Sequence, residues 1–326
     1  MPPTELRCAG SPVRRADRAF GSLVLLALVS SAILIALLAA LVPRTVLLAE
    51  RGAQDAADLI AIPLLVLATV GIGLGSTSLV RQLHATLRLI RSLLARRVAV
   101  PVRVREASRG LGLDGRIDVV LDRRPFSFCY WFLRPRICLS TALAARLTRE
   151  ELRAVLLHER YHLVHRDPLR LVVARYFAAG LYVVPVVEDL VEHFTLEKEL
   201  EADRDAVAAM GSVTPLARAL YRLLPDADDL SLGLLVPVGS LSVTEARIDH
   251  LVAGTPLAVS IPASSIALSL GALAAAIVLT VVQGPVDLDH IPTLLAVPGL
   301  LVAPSSLLLV AAVSGVAEQV RLVVRR

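Results

Sequence analysis

Lysine is almost absent: Lys198 is the one lysine in the chain, and every other member of its 34 basic residues is arginine. A Gly-rich phosphate loop ending in Lys is thereby excluded, and Schiff-base chemistry is left a single candidate amine. Aromatic residues are scarce too, at 4%. The arginines therefore lack the interleaved stacking rings of a nucleic-acid surface, and no direct nucleic acid binding is expected. Cysteine is limited to Cys8, Cys129 and Cys138, an odd number in no paired spacing. Neither a disulfide framework nor a Cys-type zinc site is indicated, and buried thiols are the plainer reading. Charge is also low, at 19% of residues against 56% hydrophobic, and mean hydropathy is +0.69 over 326 residues. That balance is too apolar for an ordinary soluble enzyme or a disordered chain, and it points to a membrane protein. The bias toward Arg, Ala and Leu is of the kind that GC-rich bacterial coding sequences give.

What is present falls in long blocks. Phe20 to Val42 is an uncharged run of 23 residues, flanked by Arg14, Arg15 and Arg18 before it and Pro43-Arg44 after it. It is long enough to cross about 30 Å of hydrocarbon and longer than a signal-peptide core. Leu59 to Val80 is a second run, and its Gly71-Ile72-Gly73-Leu74-Gly75 reads as a close-packing helix face, not a nucleotide loop. Ser260 to Gln283 and Ile291 to Ala317 form a C-terminal pair, so four spans are expected. Basic residues number four before the first span, two between the first and second, eight from Arg81 to Arg109, none at 284–290 and three after the last. This asymmetry predicts both termini and the middle region in the cytoplasm. Leu83, Leu87, Ile90 and Leu94 recur at helical spacing with arginines elsewhere on the wheel, so the second span is expected to continue as an amphipathic helix. Leu169 to Val187 is interrupted by Arg170 and Arg175, leaving 12 uncharged residues, which suits an amphipathic or re-entrant helix better than a crossing. Ile117 to Leu121 and Arg136 to Leu139 are short and β-branched, as strands are.

The polar middle carries His158-Glu159-Arg160-Tyr161-His162. Two histidines at i and i+4 project from one helix face and can hold one zinc, with Glu159 beside the open coordination position as a general base. Thr148 and Glu151 supply a capping box, and Leu152, Val155, Leu156 and Leu163 an apolar stripe. The third ligand must come from elsewhere, because Pro168 stands where a metzincin has its third histidine. The acidic stretch from Glu197 to Asp205 is one source; His165 is a weaker one that fits better as a cap at the helix C-terminus.

Taken with Pro125-Phe126-Ser127-Phe128, Arg134-Pro135-Arg136-Ile137-Cys138-Leu139, Arg166-Asp167 and Glu199-Leu200-Glu201-Ala202-Asp203, the motif resembles the BlaR/MecR-type membrane metallopeptidases, and more distantly the HtpX-type and CAAX prenyl proteases. The similarity covers roughly residues 100 to 255. It implies a gluzincin site in which Glu199 completes the metal set of His158 and His162, and Asp203 supports a ligating histidine. Arg247, in Thr244-Glu245-Ala246-Arg247-Ile248, resembles a later family motif and is expected to contact the substrate or transition state. The helix wheel agrees: Glu199 and Asp203 share a face, with small Ala202 beside them, whereas Glu201 points about 200° away. The penicillin-binding sensor domain of the antibiotic-sensing members is expected to be missing.

The expected architecture is an α-helical membrane protein of about four spans with an inserted cytoplasmic α+β zincin-type domain. The boundaries are an N-terminal hairpin over 1–80, a Zn2+ metallopeptidase domain over 81–259 with the amphipathic or re-entrant helix near 169–187, and a C-terminal hairpin over 260–326. The expected function is a zinc-dependent endopeptidase of the bacterial cytoplasmic membrane, cutting a cytoplasmic or membrane protein substrate, with the lipid bilayer as its second partner. The rival is a proteolytically silent zinc-containing scaffold or signalling receptor, which has no use for a base such as Glu159. A transporter is disfavoured because no span carries an acidic residue or histidine at mid-membrane.

Overall fold

Long apolar runs with little to stop them become long helices. The computed structural model describes residues 15–52, 56–223, 247, 250–252 and 260–282. Helix α1 (Arg15–Arg51) runs through Pro43, and α2 (Ala56–Leu94) runs through Pro63. After them come β1 (Arg97–Val98), α3 (Val102–Ser108), β2 (Ile117–Val120), β3 (Ser127–Tyr130) and β4 (Arg136–Ser140). The chain continues through α4 (Thr141–Arg146), α5 (Arg149–His165), α6 (Asp167–Gly180), α7 (Val186–Met210), α8 (Thr214–Leu223) and α9 (Ala263–Val282). Among the described residues, three helices are long and apolar enough to cross a membrane: Arg15–Glu50, Ile60–Leu94 and Ala263–Val282. The fourth expected span, Ile291 to Ala317, lies outside the described residues.

The chain divides into two compact units. One comprises residues 1–22, 96–169 and 193–259, and the other residues 23–95, 170–192 and 260–326. Helix α2 runs unbroken through residue 80, and the 170–192 segment groups with the long helices.

The first unit is built on a four-stranded sheet of order β1-β2-β4-β3. Its central pair, β2 and β4, is parallel, with Ile117 opposite Ile137 and Val119 opposite Leu139. All of β2 is buried, which is why it reads as a short β-branched run with no polar alternation. Strands β1 and β3 pair antiparallel at the two edges. Helix α5 packs on β3 and β4 and against α3 and α8. Its start is fixed by the capping box, in which Thr148 accepts from the Glu151 N–H and Glu151 accepts from the Thr148 N–H. Its stripe of Leu152, Val155, Leu156 and Leu163 joins Ile117, Val119, Ile137 and Leu139 in one core.

A buried carboxylate ties the sheet together. Asp118 on β2 is 1% exposed, and it meets Arg97 of β1 at 2.8 Å, Tyr130 of β3 at 2.6 Å and Arg136 of β4 at 2.9 Å. Burial works against its charge, but the hydrogen bonds from Arg136 and Tyr130 outweigh this and hold its carboxyl below the usual range. Asp118→Ala leaves three partners without an acceptor. It is expected to destabilise this unit by about 3 kcal/mol, the low end for a broken buried pair because Arg97 and Arg136 reach solvent. Denaturant unfolding followed by circular dichroism measures it.

The second unit is helical. Ala27, Leu181, Val184 and Val187 form one of its clusters, with Phe177 and Leu273 against them; Leu37, Leu41 and Ala61 form another. Helix α6 has 14 residues, or about 21 Å, and ends at Gly180 before the turn at Leu181–Val184 and Pro185. It is not among the helices of spanning length. The glycines of α2 are explained by what they face. A Cβ on Gly71 would come within 2.6 Å of the Gly180 carbonyl oxygen, and one on Gly75 within 3.3 Å of Gly180 Cα, whereas Gly73 faces open space. Gly71→Ala is therefore expected to destabilise the helical unit by about 1–3 kcal/mol, and Gly73→Ala to leave it unchanged, as judged by unfolding in mixed micelles.

Candidate metal centre

Helix α5 turns His158 and His162 to the same side, one turn apart, and both rings are buried. Their Nε2 atoms lie 3.1 Å from each other. Helix α7 brings the third donor: Glu199 Oε2 is 3.5 Å from His158 Nε2, and Glu199 Oε1 is 3.6 Å from His162 Nε2. Two imidazole nitrogens and a carboxylate thus enclose a point that a small metal ion can occupy.

Each ring is held from behind by a carboxylate. Asp203 Oδ1 lies 2.9 Å from His158 Nδ1, and Asp167 Oδ2 lies 2.7 Å from His162 Nδ1. With its Nδ1 side facing an acidic oxygen, each imidazole turns its Nε2 toward the shared point. Asp167 reaches His162 because Arg166 adopts a left-handed conformation (φ 54°), which ends α5 and turns the chain into α6. Asp203 is held in turn by Arg247, whose Nε and Nη2 donate to its two oxygens at 2.8 and 2.6 Å. The same guanidinium reaches Glu199 Oε2 at 3.1 Å. Arg247 thus contacts both Asp203, which lies behind His158, and the donor Glu199 itself.

The electrostatics follow from burial and pairing. Burial pulls the His158 pKa down, but Asp203 and Glu199 beside the ring overcome it and raise it to about 9. Burial opposes the charge of Glu199, and Lys198, His162 and Arg247 more than offset it, holding that carboxyl well below the usual range. Asp203 is likewise held low, by Arg247 and His158 against burial.

Glu159 is 5% exposed and accepts a hydrogen bond from Ser127 Oγ at 2.7 Å. Ser127 opens β3, so the carboxylate next to His158 is tethered to an edge strand of the sheet. Glu201 and His165 are turned elsewhere. Glu201 accepts from Tyr161 Oη at 2.7 Å and from the Ala16 N–H at 3.0 Å, and it is buried, so the α7 acidic run is no solvated face. His165 donates from Nδ1 to the Tyr161 carbonyl at 2.8 Å and stacks on that ring. Cys129 and Cys138 are free thiols, both pushed above their ordinary range chiefly by burial.

Three partners went unassigned from sequence. Asp167 and Ser127 sit inside motif fragments that carry the family likeness, yet only the turn at Arg166 and the pairing of β3 bring them to His162 and Glu159. Lys198 was visible as a compositional oddity without a role. A comparison with curated proteins finds no match to the chain. Residues 26–221 match the family described as BlaR1 peptidase M56, well over half the sequence and inclusive of His158, Glu159, His162, Glu199 and Asp203. The chain therefore belongs to the BlaR1 peptidase M56 family, a family of membrane-associated metallopeptidases.

Proposed function

We propose that the protein is a zinc-dependent endopeptidase of the bacterial cytoplasmic membrane, with its active site on the cytoplasmic side. The donor triangle of His158, His162 and Glu199 carries this reading. One ligand atom from each residue gives a set within 4.8 Å of one another, with the two Nε2 atoms 3.1 Å apart and the two Glu199 oxygens each 3.5–3.6 Å from one of them, close to the about 3.3–3.6 Å that separates ligand atoms around a tetrahedral ion with zinc bond lengths. Three protein donors of N, N, O type leave a fourth position open, as catalytic zinc sites do.

Zinc, when bound, supplies Lewis acidity that polarises the scissile carbonyl and eases deprotonation of water. The chain's own residues do the rest. Asp203 and Asp167 fix the two imidazoles at Nδ1, and Arg247 fixes Asp203 and Glu199. A carboxylate oxygen of Glu159 takes the proton of the attacking water and passes it to the leaving amine nitrogen, with Ser127 holding Oε1 in place. Strand β3, an edge of the sheet among the described residues, is the surface on which an extended substrate pairs through backbone hydrogen bonds, which asks little of its sequence. The eight arginines of the 81–109 segment and the lack of any Lys or Arg at 284–290 support the cytoplasmic orientation. A transcriptional repressor or a membrane protein, cut in regulatory proteolysis, is the proposed substrate. Comparing the proteomes of wild type and Glu159→Gln cells tests it: intact substrate is expected to accumulate in the variant and its new termini to vanish, while identical proteomes would count against the reading.

A pH dependence follows from His158. Below about pH 9 the metal-free site holds a proton on this ring, because Asp203 and Glu199 raise its pKa against the effect of burial. Zinc must displace that proton, so affinity is expected to rise about tenfold per pH unit from 7 to about 9 and then level off. Equilibrium titration against a competing chelator at pH 7, 8 and 9 checks it.

A further inference from the structure

Lys198, the chain's single lysine, has a side chain 12% exposed beside the three metal donors. Its Nζ donates to Glu199 Oε1 at 2.8 Å, and among the described residues this is its one hydrogen bond. An ammonium carries three N–H donors, so two meet no acceptor among the described residues. The side chain is mostly but not fully buried, so these two donors are open to an acceptor that comes from outside the chain. Because Glu199 is itself one of the three proposed donors, this 2.8 Å contact puts the ammonium at the edge of the donor cluster. Other cationic candidates at the cluster are taken up: Arg247 by Asp203 and Glu199, and His165 by the Tyr161 carbonyl.

We propose, resting on the peptidase reading above, that Lys198 is a catalytic residue whose free N–H donors receive the scissile carbonyl oxygen and hold the negative charge that develops there. As the water oxygen bonds to the carbonyl carbon, the π pair moves to the carbonyl oxygen and the water proton goes to Glu159. When the C–N bond breaks, that pair returns to re-form the carbonyl and the proton goes to the departing nitrogen. Lys198 stays protonated throughout and is neither consumed nor oxidised. A second consequence has the opposite sign from a structural role. The same ammonium competes with a metal ion for Glu199 and repels it, so removing the charge should tighten zinc binding.

The test uses the full chain in detergent and the variants Lys198→Met and Lys198→Gln. Hydrolysis of β-casein is expected to fall about a hundredfold, the usual size of a lost oxyanion donor, with KM nearly unchanged. Zinc affinity, measured by titration, is expected to rise. A phosphinic tripeptide, whose tetrahedral anion mimics the charged intermediate, should lose affinity in step with kcat, whereas acetohydroxamate should not. Wild-type turnover in both variants, a fall in zinc affinity, or equal losses for the two inhibitors would overturn the role. Should wild type bind zinc without cutting casein, the two inhibitors still decide. Wild type that binds no zinc would instead refute the metallopeptidase reading, taking this role with it.

Discussion

Glu159→Gln is expected to keep zinc and fold while lowering peptide-bond hydrolysis by about a thousandfold or more, within the range of a lost general acid–base group. The amide matches the carboxylate in volume and still offers an oxygen to Ser127 Oγ, so the 2.7 Å tether to β3 survives. None of the three donor atoms is touched, since Glu159 lies outside the triangle of His158, His162 and Glu199. What disappears is the buried carboxylate beside His158 that can accept a proton from water, its hydrogen-bond partner being the neutral Ser127 hydroxyl. Zinc content and β-casein cleavage, measured on the same purified sample, check this; undiminished turnover in zinc-loaded variant protein would remove Glu159 from the mechanism.

The second large effect separates three acidic residues on one helix. Glu199→Ala removes a donor and is expected to abolish stoichiometric zinc binding at micromolar zinc. Asp203→Ala leaves all three donors but frees His158 Nδ1 and leaves Arg247 only Glu199 as a carboxylate partner, and is expected to weaken zinc about 10- to 100-fold. Glu201→Ala is expected to leave zinc affinity unchanged and to cost about 1–3 kcal/mol of stability, because Tyr161 Oη and the Ala16 N–H lose their acceptor. Equilibrium zinc titration of the three variants, with unfolding measured alongside, distinguishes them. Loss of metal in Glu201→Ala with retention in Glu199→Ala would reverse the assignment.

Local periodicity made much of this legible. The i, i+4 spacing of His158 and His162, the Thr148–Glu151 box and the shared face of Glu199 and Asp203 are properties of single helices, and a helix wheel shows them without a fold. The buried strands β2 and β4 were also visible, as short β-branched runs. Contacts that depend on tertiary placement were not. Four-residue β3 alternates no clear apolar pattern, so neither the strand nor the Ser127–Glu159 bond announced itself. Asp167 needs a left-handed residue at Arg166 to reach His162, and nothing in an arginine signals that conformation. Arg247 was singled out only by its likeness to a family motif, and its bond to Asp203, 44 residues earlier in the chain, is beyond any local rule. Glycine spacing in α2 signalled a close approach, but the partner, Gly180 of α6, is a fact of packing.

The central claim is that His158, His162 and Glu199 hold a catalytic zinc. It is tested most directly by assaying β-casein cleavage by the purified full chain as isolated, after removal of metal by chelation and dialysis, and after return of one equivalent of Zn2+. The account predicts activity that is lost with the metal and restored by a single zinc per chain. Hydrolysis indifferent to chelation, or activity that one equivalent of Zn2+ does not restore, would contradict it.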